Sequence, residues 1–323
     1  MNYIKIYSNF LKKFLNSRKP LKVIFDCSNG TTGLVLKKIF SKYKLLTTYY
    51  LNDNPDGNFP AHGPNPSAKN AINQIKKEVL RQKADLGAIF DADGDRIFFV
   101  DNLGHLIDPD VIARLLIWRL NPKKVVIDVR AGWLIKNLKS QISQPKEENL
   151  KIIESKIGHY FIKKLMRKIN ADFGAERSGH YYFPAQNGKK FYFDSGILAA
   201  IEIINAISEL PYSLADFNDL LPQYYRSEEI NIKSQISNLK SQKLLFKKIE
   251  NYFKLQTTNY KLLTTNHLDG LTMEFNPSAG SGQAWWFNLR PSNTESLLRL
   301  NIEAINKKIF NSSLKKIISL IKK

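Results

Sequence analysis

Two spacings of hydrophobic residues take turns along this chain. Apolar residues recur every three to four positions over residues 4–15, which predicts an amphipathic helix. Leu21–Asp26 is almost wholly apolar and ends in an aspartate, which is typical of a buried strand. The same alternation continues to residue 100, with a predicted helix near Ala68–Gln82 and predicted strands near Leu45–Leu51, Leu86–Phe90 and Ile97–Val100.

The alternation starts again at Lys123. Val125–Asp128 is a second apolar run that ends in aspartate, and a helix from Gly158 to Ile169 is predicted after it. From about Pro222 the order changes, because predicted strands near 227–232, 271–275 and 284–288 no longer alternate with helices, which are predicted near 241–253 and 310–321. The predicted fold is α/β, with two consecutive mixed-sheet α/β domains, residues 1–119 and 120–222, and a smaller α+β domain, residues 223–323.

The net charge and the cysteine content limit the classes of protein to which this chain could belong. The 323 residues carry 49 Lys and Arg against 29 Asp and Glu, a formal net charge of +20. We expect no nucleic-acid binding, because the lysines are scattered and no helix-turn-helix or zinc-finger spacing is found; attraction of anionic small substrates fits the charge equally well. A single cysteine, Cys27, excludes a disulfide framework.

Two apolar segments, Val111–Leu120 and Gly196–Ile207, are too short to span a bilayer. We therefore expect a soluble, cytoplasmic protein without membrane contacts. The run Tyr43–Thr48 (YKLLTT) recurs as Tyr260–Thr265, which we interpret as a surface-loop insertion.

The clearest chemical motif is Asp91-Ala92-Asp93-Gly94-Asp95-Arg96, directly after a predicted strand. Three carboxylates at alternate positions of a tight loop can turn their oxygens toward one hard cation such as Mg²⁺. Without a cation they would raise each other's pKa. The loop is not an EF-hand, which needs Gly at its sixth position and Glu at its twelfth, where this chain has Arg96 and Asn102.

A second motif is Gly174–His180 (GAERSGH). It is not a hydrolase nucleophile elbow, which requires G-x-S-x-G, because Glu176 stands two residues before Ser178. Glu176 and Ser178 alternate on one face of an extended segment, where they could bind the hydroxyls of a polyol; a structural turn is the alternative interpretation.

A third motif lies between two predicted strands and combines a guanidinium, two hydroxyls and an amide, which suits phosphate binding: Arg290, Ser292, Asn293 and Thr294. A polar hairpin is the alternative. Lys156, in Lys156–His159 before a predicted helix, could act as an acid or base or contact a phosphate.

Taken in order, these motifs resemble the α-D-phosphohexomutase superfamily, and within it the bacterial phosphomannomutases/phosphoglucomutases. The resemblance covers nearly the whole chain. It includes VIFDCSNG, DGNFPAHGPNP, DADGDR, SKIGHYFI, GAERSGHYYF and WWFNLRPSNTESLLRL. The chain departs from the family at Ala92, where Gly is usual, and at Ser296, where Pro is usual.

The resemblance implies an enzyme that moves a phosphoryl group between a serine and a hexose 1- or 6-phosphate. It implies that Asp91, Asp93 and Asp95 bind Mg²⁺ and that Arg96 supports the phosphoryl site. It also implies that Glu176 and Ser178 bind sugar hydroxyls, that Lys156 and His180 are acid/base or substrate contacts, and that the substrate's other phosphate is held by Arg290, Ser292, Asn293 and Thr294.

The family's first domain, which carries the phosphoserine in a T-A-S-H-N-P-like loop, is not found in these 323 residues. We therefore expect this chain alone to be inactive, with a separate phosphoserine-bearing domain as its partner. The alternatives are a catalytically silent phosphosugar-binding protein and, from another class, a basic nucleic-acid-binding protein.

Overall fold

The chain folds into two units, each with its own core. A computed structural model describes residues 2–68, 70–138, 150–187, 189–233, 239–255, 260–277, 284–292 and 295–322. Unit 1 comprises Met1–Glu154 and Gly158–Leu221, and unit 2 comprises Ser155–Ile157 and Pro222–Lys323.

The first sheet of unit 1 has four strands in the order β2–β1–β3–β4. Strands β1, β2 and β3 run parallel, and β4 returns antiparallel to β3. Parallel neighbours need a crossover connection, which helices supply here. The elements are α1 (Tyr3–Lys12), β1 (Leu21–Asp26), α2 (Thr32–Phe40), β2 (Leu46–Leu51), α3 (Asn73–Gln82), β3 (Leu86–Phe90) and β4 (Ile97–Val100).

The second sheet of unit 1 has the order β6–β5–β7–β8–β9, and its first four strands repeat the order of the first sheet. Strand β7 is parallel to β5, while β8 and β9 form an antiparallel extension. The elements are α4 (Pro109–Leu120), β5 (Lys124–Asp128), α5 (Trp133–Lys136), β6 (Lys151–Ser155), α6 (His159–Ile169), β7 (Phe173–Ala175), β8 (Tyr181–Asn187), β9 (Lys189–Asp194), α7 (Gly196–Glu209) and α8 (Leu214–Asp219).

One hydrophobic core includes side chains from both sheets of unit 1, such as Phe25 and Phe173, together with α4 and α7. Every residue of α7 except Glu209 is buried. A helix that is apolar on all sides belongs in a core, which explains the two apolar segments of the sequence. Within the described ranges, no helix is long and apolar enough to cross a membrane.

Unit 2 is built on one antiparallel sheet with the order β10–β15–β14–β13–β12, and β11 also pairs with β15. Its core contains apolar side chains of two helices and a group of stacked rings that includes Phe275 and Trp285. The elements are β10 (Tyr225–Arg226), β11 (Ile230–Lys233), α9 (Leu239–Leu255), β12 (Tyr260–Asn266), β13 (Leu271–Pro277), β14 (Trp285–Pro291), β15 (Leu297–Ala304) and α10 (Lys307–Lys322).

The predicted fold class is confirmed: two mixed-sheet α/β regions precede an antiparallel sheet with helices. Two details differ. Helix α3 begins at Asn73 rather than Ala68, because Asn70 takes a left-handed backbone conformation (φ 70°) that no helix interior contains. Tyr260–Thr265 is a strand and not a loop, since Tyr260 and Leu262 pack against the core of unit 2. The boundaries of the three predicted domains stay a prediction.

Candidate active site

The acidic loop, Asp91–Arg96, follows a strand in which every residue is buried. The buried Asp91 carboxylate closes the loop by accepting hydrogen bonds from Gly94 N (3.0 Å), Arg96 N (3.1 Å) and Arg96 Nε (2.7 Å). Gly94 has φ +77°, a backbone conformation that favours glycine. The loop geometry is therefore fixed by Asp91 and Gly94 together.

The three aspartates of this loop converge, because one carboxylate oxygen from each of Asp91, Asp93 and Asp95 lies within 4.8 Å of the others. Asp93 is exposed and makes no hydrogen bond or ion pair to any other described residue. Among the described residues, Arg96 Nε donates to Oδ2 of Asp91, and the second lone pair of that oxygen can bind a cation. This donor set fits Mg²⁺, which prefers oxygen ligands.

The electrostatics of the acidic loop favour a cation for a second reason. Burial raises the pKa of Asp91 to about 6, although the hydrogen bonds from Arg96 oppose this rise. The interaction with His180 is the main cause that lowers the pKa of Asp95 to about 2. Neighbouring carboxylates with such different pKa values do not ionise easily together, and a divalent cation would stabilise the fully ionised set.

The Glu176 loop, Glu176–His180, joins β7 to β8. Its ends are bonded to each other, since Glu176 N donates to His180 O (2.9 Å) and Gly179 N donates to Glu176 O (3.0 Å). The side chain of Glu176 is buried; Oε1 accepts from Gly158 N (2.7 Å) and Oε2 accepts from the hydroxyl of Tyr182. Each oxygen thus has capacity for one further donor, such as a sugar hydroxyl.

The two loops meet within unit 1. Ile97 N donates to Gly179 O (3.0 Å), and Arg96 and His180 form an isolated antiparallel bridge. His180 Nε2 lies 3.5 Å from Asp95 Oδ2, and its Nδ1 lies 2.9 Å from Ser178 Oγ. This junction brings together six residues that belong to two separate motifs of the sequence: Asp91, Asp95, Arg96, Glu176, Ser178 and His180.

His180 is surrounded by negative charge. Burial by itself lowers the pKa of His180, but the carboxylates of Asp95, Glu176 and Asp194 together raise it above the ordinary value. The sequence did not indicate Asp194. One of its carboxylate oxygens lies within 4.8 Å of a carboxylate oxygen of Asp95 and of a ring nitrogen of His180. Asp194 also forms an ion pair with Lys163 at 2.7 Å. Its position at the end of β9, directly before a helix, was the only signal in the sequence.

Arg290 lies in unit 2, near the end of β14. Arg290 is buried, and its Nη2 donates to Glu229 Oε2 at 2.8 Å. Its Nε finds no acceptor among the described residues. Ser292 N donates to Leu297 O (2.9 Å). Asn293 and Thr294 lie outside the described residues.

Lys156 is exposed and belongs to the short segment of unit 2 that precedes α6. The neighbouring Ile157 N donates to Asp269 Oδ2 at 3.0 Å, which ties this segment to the turn before β13. Lys156 is assigned to unit 2, whereas the acidic loop and the Glu176 loop belong to unit 1, and its role stays a prediction.

Two models of known protein families match consecutive parts of the chain. Residues 2–104 match the family model described as phosphoglucomutase/phosphomannomutase, alpha/beta/alpha domain II. Residues 108–224 match the model of domain III of the same family. The chain belongs to the phosphoglucomutase/phosphomannomutase family. In phosphohexomutase terms, the acidic loop lies in domain II and the Glu176 loop lies in domain III, which confirms the predicted family.

Individual relatives agree. The chain is 35% identical to a phosphomannomutase of Methanocaldococcus jannaschii over 328 residues, an alignment that covers 100% of the chain and 66% of the relative. The chain thus spans about two thirds of the length of this phosphohexomutase.

Solved structures show the same fold. A phosphoglucomutase/phosphomannomutase family protein of Burkholderia thailandensis superposes with a TM-score of 0.80 at 22% identity, covering 99% of this chain and 64% of that one. An Aspergillus fumigatus N-acetylphosphoglucosamine mutase in complex with GlcNAc-6P and magnesium superposes with a TM-score of 0.62 at 15% identity, covering 98% and 68%.

Proposed function

We propose that this chain acts in phosphohexomutase catalysis, which interconverts hexose 1-phosphate and hexose 6-phosphate through a phosphoserine. The observation that carries the proposal is the junction of the acidic loop with the Glu176 loop inside unit 1 of a chain that belongs to the family. The Aspergillus neighbour, solved with a hexosamine phosphate and magnesium, supports the substrate class and the metal.

Phosphoryl transfer needs positioning and charge stabilisation more than covalent chemistry from the protein. Asp91, Asp93 and Asp95 would hold Mg²⁺, which when bound supplies positive charge next to the phosphoryl oxygens. Arg96 uses its Nε to bind Asp91, and its terminal nitrogens are directed to no acceptor among the described residues. Those nitrogens would donate hydrogen bonds to the phosphoryl group.

The sugar is proposed to bind the Glu176 loop. Glu176 would accept hydrogen bonds from sugar hydroxyls at its remaining lone pairs, and Ser178 would donate or accept at Oγ. His180, held between Ser178 and Asp95, would hold or move a proton at the hydroxyl that gains or loses the phosphoryl group. Lys156 is the second candidate for this acid/base role.

The phosphate that does not react is proposed to bind Arg290, Ser292, Asn293 and Thr294. Arg290 already pairs with Glu229, so a phosphate would share the guanidinium with that carboxylate or displace it. The phosphoserine itself is proposed to come from a family domain that these 323 residues do not include. A domain that carries this phosphoserine is the proposed partner of the site.

A coupled assay tests the proposal, with glucose 1-phosphate or mannose 1-phosphate as substrate and a sugar bisphosphate as primer. We expect no steady turnover by this chain alone, turnover after addition of a separately expressed phosphoserine domain of the family, and none with the Asp93→Asn variant. Turnover by the chain alone would contradict the need for an added phosphoserine. Binding of hexose phosphates without turnover in either case would instead support a silent phosphosugar-binding protein.

A further inference from the structure

Arg177 stands between the two proposed sugar ligands, Glu176 and Ser178, but its own side chain is committed to another part of unit 1. We infer that Arg177 is a positioning residue that clamps the Glu176 loop to the start of α4 and so sets the selectivity for the sugar. The effect on sugar binding rests on the proposed function, whereas the clamp itself does not.

The contacts of Arg177 form a fork. Nη1 and Nη2 donate to the two carboxylate oxygens of Asp108 at 2.9 and 3.0 Å, and Nη1 also lies 3.1 Å from Asp110 Oδ2. The backbone N of Arg177 donates to Asp128 Oδ2 at 3.0 Å. A planar guanidinium with two parallel hydrogen bonds fixes direction as well as distance, which a lysine ammonium cannot do.

The carboxylates that accept hydrogen bonds from Arg177 also accept hydrogen bonds from other residues of unit 1. Asp108 is the N-cap of α4 and accepts from Asp110 N at 2.8 Å. Asp110 is buried and accepts from Gly132 N at 2.7 Å, while Asp128 is buried at the end of β5 and forms a second fork with Arg130. The clamp therefore joins the Glu176 loop to a helix start and a strand end, both of which are rigid parts of the fold.

The Glu176 loop needs such an anchor because it is short and turns sharply. Gly179 has φ +87°; two backbone hydrogen bonds close the loop on itself, and Ile97 N donates to Gly179 O from the acidic loop's side. Glu176 and Ser178 flank Arg177 directly, so any rotation of the loop about its ends moves both proposed sugar ligands. Losing the clamp would leave these ligands in place only part of the time, which weakens hydrogen bonds to the sugar and leaves phosphate binding unchanged.

The experiment compares Arg177→Met and the conservative Arg177→Lys with a matched control, Arg119→Met. Arg119 lies at the other end of α4 and pairs with Glu202 and Glu209, so its loss removes ion pairs of unit 1 without touching the Glu176 loop. Amide hydrogen exchange of Glu176 and Gly179 reports the clamp, and calorimetry with glucose 6-phosphate and with inorganic phosphate reports the selectivity. Asp108→Asn, which weakens the same fork from its half-exposed side, replaces Arg177→Met if that variant does not fold.

We expect Arg177→Met to speed exchange at both amides and to weaken glucose 6-phosphate binding roughly tenfold, with inorganic phosphate binding within about twofold of the parent. Arg177→Lys should be intermediate, and Arg119→Met should change neither readout. Unchanged exchange in Arg177→Met would overturn the clamp, and an equal loss of both ligands would overturn its role in selectivity. If the parent chain binds no glucose 6-phosphate while the exchange effect is present, the proposed substrate class fails and the clamp stands.

Discussion

The acidic loop packs against the turn that follows β1, and Gly30 in that turn leaves no room for a side chain beside Ala92. Thr31 N donates to Ala92 O at 3.0 Å. A Cβ at Gly30 would lie 2.7 Å from both Cα and the carbonyl carbon of Ala92, and closer still to its oxygen. Because these are backbone atoms, Gly30→Ala must displace Ala92, which stands between Asp91 and Asp93.

The cost follows from this geometry. Forcing a methyl group into a closed backbone contact typically destabilises by about 1–3 kcal/mol. In a unit of about 150–250 residues, 2 kcal/mol lowers the melting temperature by roughly 4–8 °C. Gly57→Ala is the matched control, since nothing lies within 4 Å of its added Cβ. That substitution should be neutral or stabilise by about 0.4–1 kcal/mol through the unfolded state.

Urea and thermal unfolding of the two variants, together with calorimetric titration of Mg²⁺, measure the effect. We expect Gly30→Ala to lose stability and to bind Mg²⁺ more weakly than Gly57→Ala, because the displaced Ala92 moves two of the three carboxylates. If both variants unfold at the same midpoint and bind Mg²⁺ equally, the contact between the β1 turn and the acidic loop does not shape the site.

Three further substitutions address separate groups. Asp93→Asn should abolish the proposed Mg²⁺ site in calorimetry by removing the exposed carboxylate; a persisting site would contradict the assignment. Arg290→Ala should weaken hexose phosphate binding about ten- to a hundredfold, because it removes a charge-assisted contact, and unchanged affinity would indicate a hairpin only. His62→Gln tests pH dependence: the hydrogen bond with the buried Asp26 raises the pKa of His62, so its stabilisation is complete below about pH 6.5 and is lost as the pH rises through the folded-state value. The difference in unfolding free energy between parent and His62→Gln should therefore shrink from pH 6 to pH 9, and a constant difference would refute this origin.

Hydrophobic runs and the spacing of charged residues were enough to predict individual strands and the loops that follow them. The apolar run Leu86–Phe90 and the three aspartates after it were enough to predict a strand followed by a cation site, because burial and like-charge repulsion act on neighbouring residues. The contact of His180 with Asp95 was beyond this reasoning, since hydrophobic periodicity does not say which loops of two different sheets meet. The family resemblance grouped these residues by role, without the hydrogen bonds that join them.

Arg290 shows that the sequence also did not predict the ion-pair partner of a buried charge. Its chemistry suggested an open phosphate-binding fork, yet the side chain is buried against Glu229, which lies 61 residues earlier in the chain. Burying a guanidinium is costly unless a carboxylate pairs with it, so the fold must supply a partner. Which carboxylate supplies it depends on the pairing of β11 with β15, a long-range contact that no local pattern specifies.

Because the strand order of the two sheets of unit 1 is the same, the acidic loop and the Glu176 loop occupy equivalent positions. Each loop follows the third strand of its sheet and leads into an antiparallel fourth strand. In each, the first residue's N donates to the last residue's O: Asp91 to Arg96 and Glu176 to His180. The last residues of the two loops then form an antiparallel bridge with each other, which joins the loops at equivalent positions. An insertion or deletion in either loop would therefore displace the residue that bridges to the other loop.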